Sequence, residues 1–329
     1  TSLGTLGRTY EGSGAIEAGL RLAERHGLAV TALRARLNHG YLQSKVDART
    51  TLESDRVGLA DARRLGQRTW AVMFVTNASA SAVWTGDWNW TLEQLAEALT
   101  GELEREDRFQ VLGRIGIIRG WQGESTDAIL DEMERLVGPT PDPNHGRFLV
   151  EVRAARAFAL GRFGDVTASL RRLAGVDPGN ARHYRVLSAR AALLERDAVS
   201  AAADLEALEA IGVHGSWTRA CRTSIRAGLA ALDGRPADAL SLYREALRDL
   251  ADAGLPFDQA LTTIEMASLL DPAVPEVRAA SEAAREILAR LGARSLLERL
   301  EAAMGRSPEG DRVPDRPEKP HQSMAGAPP

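Results

Sequence analysis

The feature that most constrains this chain is a recurrence. Glycine or aspartate stands at Gly12, Asp47, Gly86, Gly123, Gly161, Asp197, Gly234 and Asp271, with gaps of 35, 39, 37, 38, 36, 37 and 37 residues. Each of these positions separates two stretches whose apolar residues fall at spacings of three and four, which puts them on one face of an α-helix. Gly and Asp tolerate the left-handed backbone that turns one helix sharply into the next. The second stretches carry the clearest stripes: Leu92, Leu95, Ala96 and Leu99; Ala198, Ala201, Ala202, Leu205 and Leu208; Leu240, Tyr243, Leu247 and Leu250. Small residues five positions after a turn (Thr91, Ala128, Ala202, Ala239) would let paired helices approach closely. A fixed period of this length is the mark of a repeat architecture, in which no unit buries its apolar faces without neighbours. The expected fold is therefore all-α, an α/α superhelical solenoid of about eight helix hairpins with a concave inner wall.

Composition agrees. Of 329 residues, 44% are apolar and only 5% aromatic, so strand formers are scarce against a background of Ala, Leu, Arg and Glu. The net charge of −4 provides no general attraction to nucleic acid or to anionic lipid. The single cysteine, Cys221, excludes an internal disulfide and any site built on several thiolates, and places the chain in a reducing, cytoplasmic setting. Residues 1–20 lack the unbroken apolar run of a secretory signal. The longest uncharged segment, 69–86, carries Thr76, Asn77, Ser79, Ser81 and Thr85 and reads as a buried helix rather than a membrane span. The start at Thr1, within a helical pattern, points to further chain before it. The solenoid is expected over 1–304. Residues 305–329 hold six of the fourteen prolines and read as a disordered tail.

The pairing of a turn glycine with an aromatic two residues on, in Gly86-Asp87-Trp88 and Gly161-Arg162-Phe163, resembles the tetratricopeptide repeat, although the gaps exceed that repeat's usual period of about 34. The stretches LADARRLGQRTWAVMFVTNASASAVWTGDWNWTLEQLAEAL (59–99) and AREILARLGARSLLERLEAAMG (284–305) resemble the C-terminal helical arms of large bacterial signalling ATPases of the AAA or STAND type. Those arms accompany a nucleotide cyclase domain or belong to LuxR-type regulators. The resemblance implies a non-catalytic interaction or effector-sensing arm that regulates an N-terminal ATPase or cyclase module. The proline-rich end, in place of a DNA-reading helix-turn-helix, favours the cyclase-linked or plain ATPase setting over the LuxR-type one. A free-standing peptide-binding adaptor is the alternative.

Motifs for chemistry are missing from the sequence. Neither Lys45 nor Lys319 sits in a phosphate-binding loop, no two histidines have metal-ligand spacing, and Gly-x-Ser-x-Gly does not occur. No catalytic residue, cofactor or metal site is expected, and Cys221 reads as a small core hydrophobe. The candidates are binding residues. Asn38 and Asn77 each precede a turn by nine residues, on first helices, where an amide can hold an extended peptide or bond a neighbouring helix. Five of the six tryptophans fall between 70 and 121; they either pack the core, with Trp88 at the buried aromatic position, or anchor a partner, with Trp84 on the groove wall.

Charge is also segregated. Residues 86–138 carry twelve Asp/Glu against five Arg, and residues 147–196 carry ten Arg against four Asp/Glu. Arg153, Arg156, Arg182, Arg185 and Arg190 in the basic block either dock an acidic partner or pair with the acidic repeats beside them. Nucleic acid is not expected, because no recognition-helix motif accompanies the block. Expected partners are a protein or peptide in the concave groove, or a small effector.

Overall fold

The computed structural model describes residues 9–44, 47–139, 142–212 and 215–305. Sixteen helices and no strand occur among them: α1 (Thr9–Arg25), α2 (Ala29–Gln43), α3 (Ala48–Arg64), α4 (Arg68–Thr85), α5 (Trp88–Leu99), α6 (Arg105–Gln122), α7 (Asp127–Val137), α8 (Pro143–Ala159), α9 (Phe163–Val176), α10 (Ala181–Leu194), α11 (Ala198–Ala210), α12 (Ser216–Leu232), α13 (Pro236–Asp252), α14 (Pro256–Leu269), α15 (Pro275–Leu291) and α16 (Arg294–Met304). None is long and apolar enough to cross a membrane. The proline-rich tail beyond Gly305, like the first eight residues, lies outside the described residues.

The turn positions from Asp47 to Asp271 fall between consecutive helices, but the two residue types work differently. Gly86 and Gly123 take the left-handed conformation, with φ of 79° and 80°, and end α4 and α6. Two of the three aspartates instead start helices. Asp47 accepts a hydrogen bond from Thr50 N, Asp197 from Ser200 N, and the Asp271 carboxylate from Ala273 N. Asp47 and Asp197 each pair an amide that the first helical turn leaves without an acceptor, as N-capping side chains do, whereas Asp271 bonds an amide in the loop before α15. At the Asp197 turn, Arg196 takes the positive φ. Gly12 is no turn at all: it lies inside α1. Seven helix pairs thus follow from α2/α3 onward, with α1 before them and α16 after.

Close approach is set by different small residues than the spacing implies. Thr91 and Ala239 are buried, whereas Ala128 and Ala202 face solvent. In α6 the work falls to Gly113, Gly116 and Gly120, where an added Cβ would meet Phe148, Val152 and the backbone of α8, respectively. Gly58 of α3 is tighter still, since its Cβ would lie 2.2 Å from the buried Phe74 ring of α4. Gly58→Ala is therefore expected to cost about 1–3 kcal/mol through overpacking, measured as a lowered urea midpoint at unchanged slope; an unchanged midpoint would show that Phe74 moves aside freely.

The packing departs from a row in which each pair touches only the next. Even-numbered helices follow one another, with α4 against α2 and α6, α6 against α8, and α12 against α10 and α14. Helix α14 also packs on α4 and α10, and α16 packs on α6. Trp84, Trp88 and Trp121 all surround Phe257 of α14, with ring centroids 6.0, 4.9 and 5.1 Å away. Gln122 Nε2 donates to Leu291 O at 2.9 Å, and Arg299 donates to Ala159 O at 3.4 Å. One apolar cluster consequently runs from Val83 to Ala303. The tryptophan-rich first half clasps the chain's own C-terminal helices, and α14 is enclosed by its neighbours, with even Asp258, Thr262 and Glu265 buried.

Candidate functional site

Helices α4, α6, α8, α9 and α10, with the α2/α3 junction, line a partly open cavity of about 180 Å³. Its middle is apolar, lined by Ile117, Trp121, Ala154, Ala155, Phe158 and Leu187. These come from inward-facing positions one helical turn apart, so the ordinary spacing of core residues forms the walls. The charged groups collect at two places. Arg114 of α6 and Arg147 and Glu151 of α8 stand together with Tyr184 of α10; Arg182 and His183 stand beside Trp84.

The first group is unevenly matched. Arg147 pairs with Glu151 at 2.9 Å and faces Asp177 at 3.8 Å. The Tyr184 hydroxyl lies 2.7 Å from Glu151 Oε1 and 3.0 Å from Asp177 Oδ2. Burial and the adjacent Glu151 push the Tyr184 phenol well above its usual range, so it serves as a neutral donor. Burial alone would weaken the charge on Arg147, but Glu151 and Tyr184 outweigh it and raise its pKa.

Arg114 has no such settlement. Burial is the main influence and lowers its pKa to about 10, with Glu151 opposing and Arg147 reinforcing. It is still a cation at neutral pH. No ion pair within 4.0 Å and no hydrogen bond is made by this guanidinium among the described residues; its Nε is sealed from solvent without an acceptor, and its one close aromatic contact is the Phe148 ring, 4.8 Å from Cζ. Arg147 sits 4.2 Å from the same ring.

The second group forms a partition. Trp84 stacks on His183 with centroids 6.1 Å apart, and His183 lies 4.5 Å from Trp217. Trp84, Arg182 and His183 also line a second cleft of about 460 Å³ that includes Arg49, Trp217 and Arg219, so these side chains stand between the two spaces. Burial lowers Arg182 to about 10.

Of the residues singled out in the sequence, Trp84 alone among the groove candidates reaches the cavity. Asn38 and Asn77 do not line it; Asn77 turns instead toward the buried Asp55 carboxylate. The basic block is largely engaged within the chain. Arg153 pairs with Glu134 and Arg156 with Asp127, linking the arginines to the acidic repeat before them. Arg185 and Arg171 converge on the buried Asp204, at 2.8 and 2.9 Å. Arg190 is wholly buried between Asp258 and Glu265 and lies on no surface that a partner could reach, so it is withdrawn from the docking set. Cys221 is buried too, and burial raises its thiol pKa, so the unreactive thiol form dominates.

Sequence reasoning passed over Arg114, Arg147, Glu151 and Tyr184. A signal for Arg114 exists: it is the only charged residue in the run Val111–Ile118, where a buried helix face offers it no partner. No group of three or more potential metal-ligating side chains occurs among the described residues. No family model matches the chain, and no curated protein matches it with significance.

Proposed function

We propose that this chain is a non-catalytic sensing module: a superhelix of tetratricopeptide-like hairpins, wound around its own helix α14, that encloses a small effector. The observation that carries this reading is the cavity between α4, α6, α8, α9 and α10, with its apolar middle and charged groups at two places, an arrangement typical of small-molecule sites. The seating of Phe257 among three tryptophans supports an effector over an extended peptide, because the inner space that a peptide would need is filled by the chain itself. Trp84 borders the cavity and touches Phe257, so an occupant pressing on Trp84 would bias how α14 is held. A ligand shifts such an equilibrium only by its differential affinity for the two arrangements. In the setting implied by the resemblance, α14 to α16 would pass that bias to an attached ATPase or cyclase module.

The test uses single-ring probes, since an apolar cavity of about 150 Å³ is known to hold benzene. Benzyl alcohol and benzoate are titrated against the whole chain by calorimetry, with tryptophan fluorescence followed in parallel. At least one is expected to bind in the millimolar range or tighter and to alter the emission of the cavity tryptophans. Ala155→Trp, which fills the middle of the cavity, is expected to abolish binding. Failure of every probe, or binding that survives the filled cavity, would end this reading.

A further inference from the structure

We infer that the cavity is built for a monocarboxylate whose body is one ring, or an alkyl chain of similar bulk, and that Arg114 takes the carboxylate. The inference rests on the cavity being a ligand site and specifies its occupant.

Arg114 bears an expensive charge without visible return. A buried guanidinium is ordinarily matched by a carboxylate with good geometry, because desolvation otherwise disfavours it. Here the obvious counter-ion, Glu151, is already held by Arg147 and by the Tyr184 hydroxyl, and the Arg114 Nε has no acceptor. The charged side chains on the cavity wall are Arg114, Arg147, Arg182 and Glu151, with His183 beside them. Arg147 is matched by Glu151 and faces Asp177, which leaves Arg114, on the wall of an apolar space, as a cation without an ion-pair partner among the described residues. A single negative charge on the occupant would balance Arg114, and a carboxylate matches the planar fork of a guanidinium through two parallel hydrogen bonds. A phosphate dianion would need more donors than Arg114 offers once Arg147 is committed. The remaining wall, from Ile117 through Phe158 to Leu187, offers an apolar body only dispersion and burial.

Benzoate, hexanoate, benzamide and phenyl phosphate serve as probes against wild type, Arg114→Met and Arg114→Lys. Benzoate or hexanoate is expected to bind wild type at least tenfold more tightly than benzamide, whose shape is the same and whose charge is absent, and more tightly than phenyl phosphate. Arg114→Met is expected to lose at least tenfold in carboxylate affinity while benzamide affinity stays the same, and Arg114→Lys to fall between. Met at 114 should also leave the unliganded melting temperature unchanged or higher, because it removes a buried charge that the chain does not pair. A lowered melting temperature would show that the guanidinium serves the fold, and would overturn the inference. Equal binding of benzoate and benzamide would overturn it while leaving the cavity a ligand site; binding of no probe at all would remove the site itself. Preference for phenyl phosphate would replace the carboxylate with a phosphate ester.

Discussion

Arg190→Met is expected to lower stability by about 3–5 kcal/mol, the range for removing one partner of a buried ion pair. The arginine is enclosed by α10, α12 and α14. Its Nη1 lies 2.8 Å from Glu265 Oε1 and 3.1 Å from Thr262 Oγ1, and its Nη2 lies 3.4 Å from Asp258 Oδ1. Ser224 donates to Glu265 at 3.0 Å, and Trp217 Nε1 donates to Asp258 at 2.8 Å. Burial raises both carboxyl pKa values, and Arg190 is the chief influence that holds them down. Without the guanidinium the site keeps two acids and no cation. They would then take up protons, so the loss should grow as pH rises. Adding Asp258→Asn and Glu265→Gln to Arg190→Met is expected to restore most of the stability, since a neutral site carries no uncompensated charge. Urea unfolding of the three proteins checks this. A loss below about 1 kcal/mol for Arg190→Met alone would show that the cluster contributes little to the seating of α14.

The second large effect concerns Asp55. This α3 carboxylate is fully buried, and neither oxygen has a hydrogen-bond partner in good geometry. Backbone closes over it: an added Cβ on Gly40 would stand 2.7 Å from Oδ1. Burial raises its pKa from 3.8 to about 8, with Asn77 pulling weakly the other way. Below pH 3.8 the acid is protonated whether or not the chain is folded. Between that value and about 8 the unfolded chain gives up the proton and the folded chain keeps it, so stability falls as pH rises, by up to about 1.4 kcal/mol per pH unit. The contribution is exhausted above pH 8. Asp55→Asn is expected to remove this slope and to raise stability at pH 8 by on the order of 5 kcal/mol. Urea midpoints from pH 5 to 9 give the comparison, and parallel pH profiles for the two proteins would place the slope elsewhere.

Local rules account for what the sequence made legible. Apolar spacing and the turn residues define the helices, because both act within a few residues. Trp88 reads correctly as core: it is buried, and its indole N–H finds Val83 O at 2.9 Å. The misreadings arise where a partner comes from far along the chain. Nothing near Trp84 or Trp121 announces that Phe257 will lie between them. Arg190 looks like its exposed neighbours until Asp258 and Glu265 arrive from another helix. For Asn77 the spacing gives a place on a first helix and leaves open whether its amide serves the groove or a neighbouring helix; the choice depends on Asp55, from the helix before it. The aspartate turns show a smaller version of the same limit, since the residue type marks a helix boundary without saying which side of it the side chain serves.

The long-range seat of Phe257 has a consequence for how this chain can vary. An open array can gain or lose a hairpin anywhere, because each unit answers only to its neighbours. Here the three indole rings come from adjacent units early in the chain, and the phenyl ring that they grip comes near the end. An extra hairpin between them would swing that ring away, and one fewer would leave it short. The repeat number is fixed the way the stones of an arch are fixed by the block at its crown.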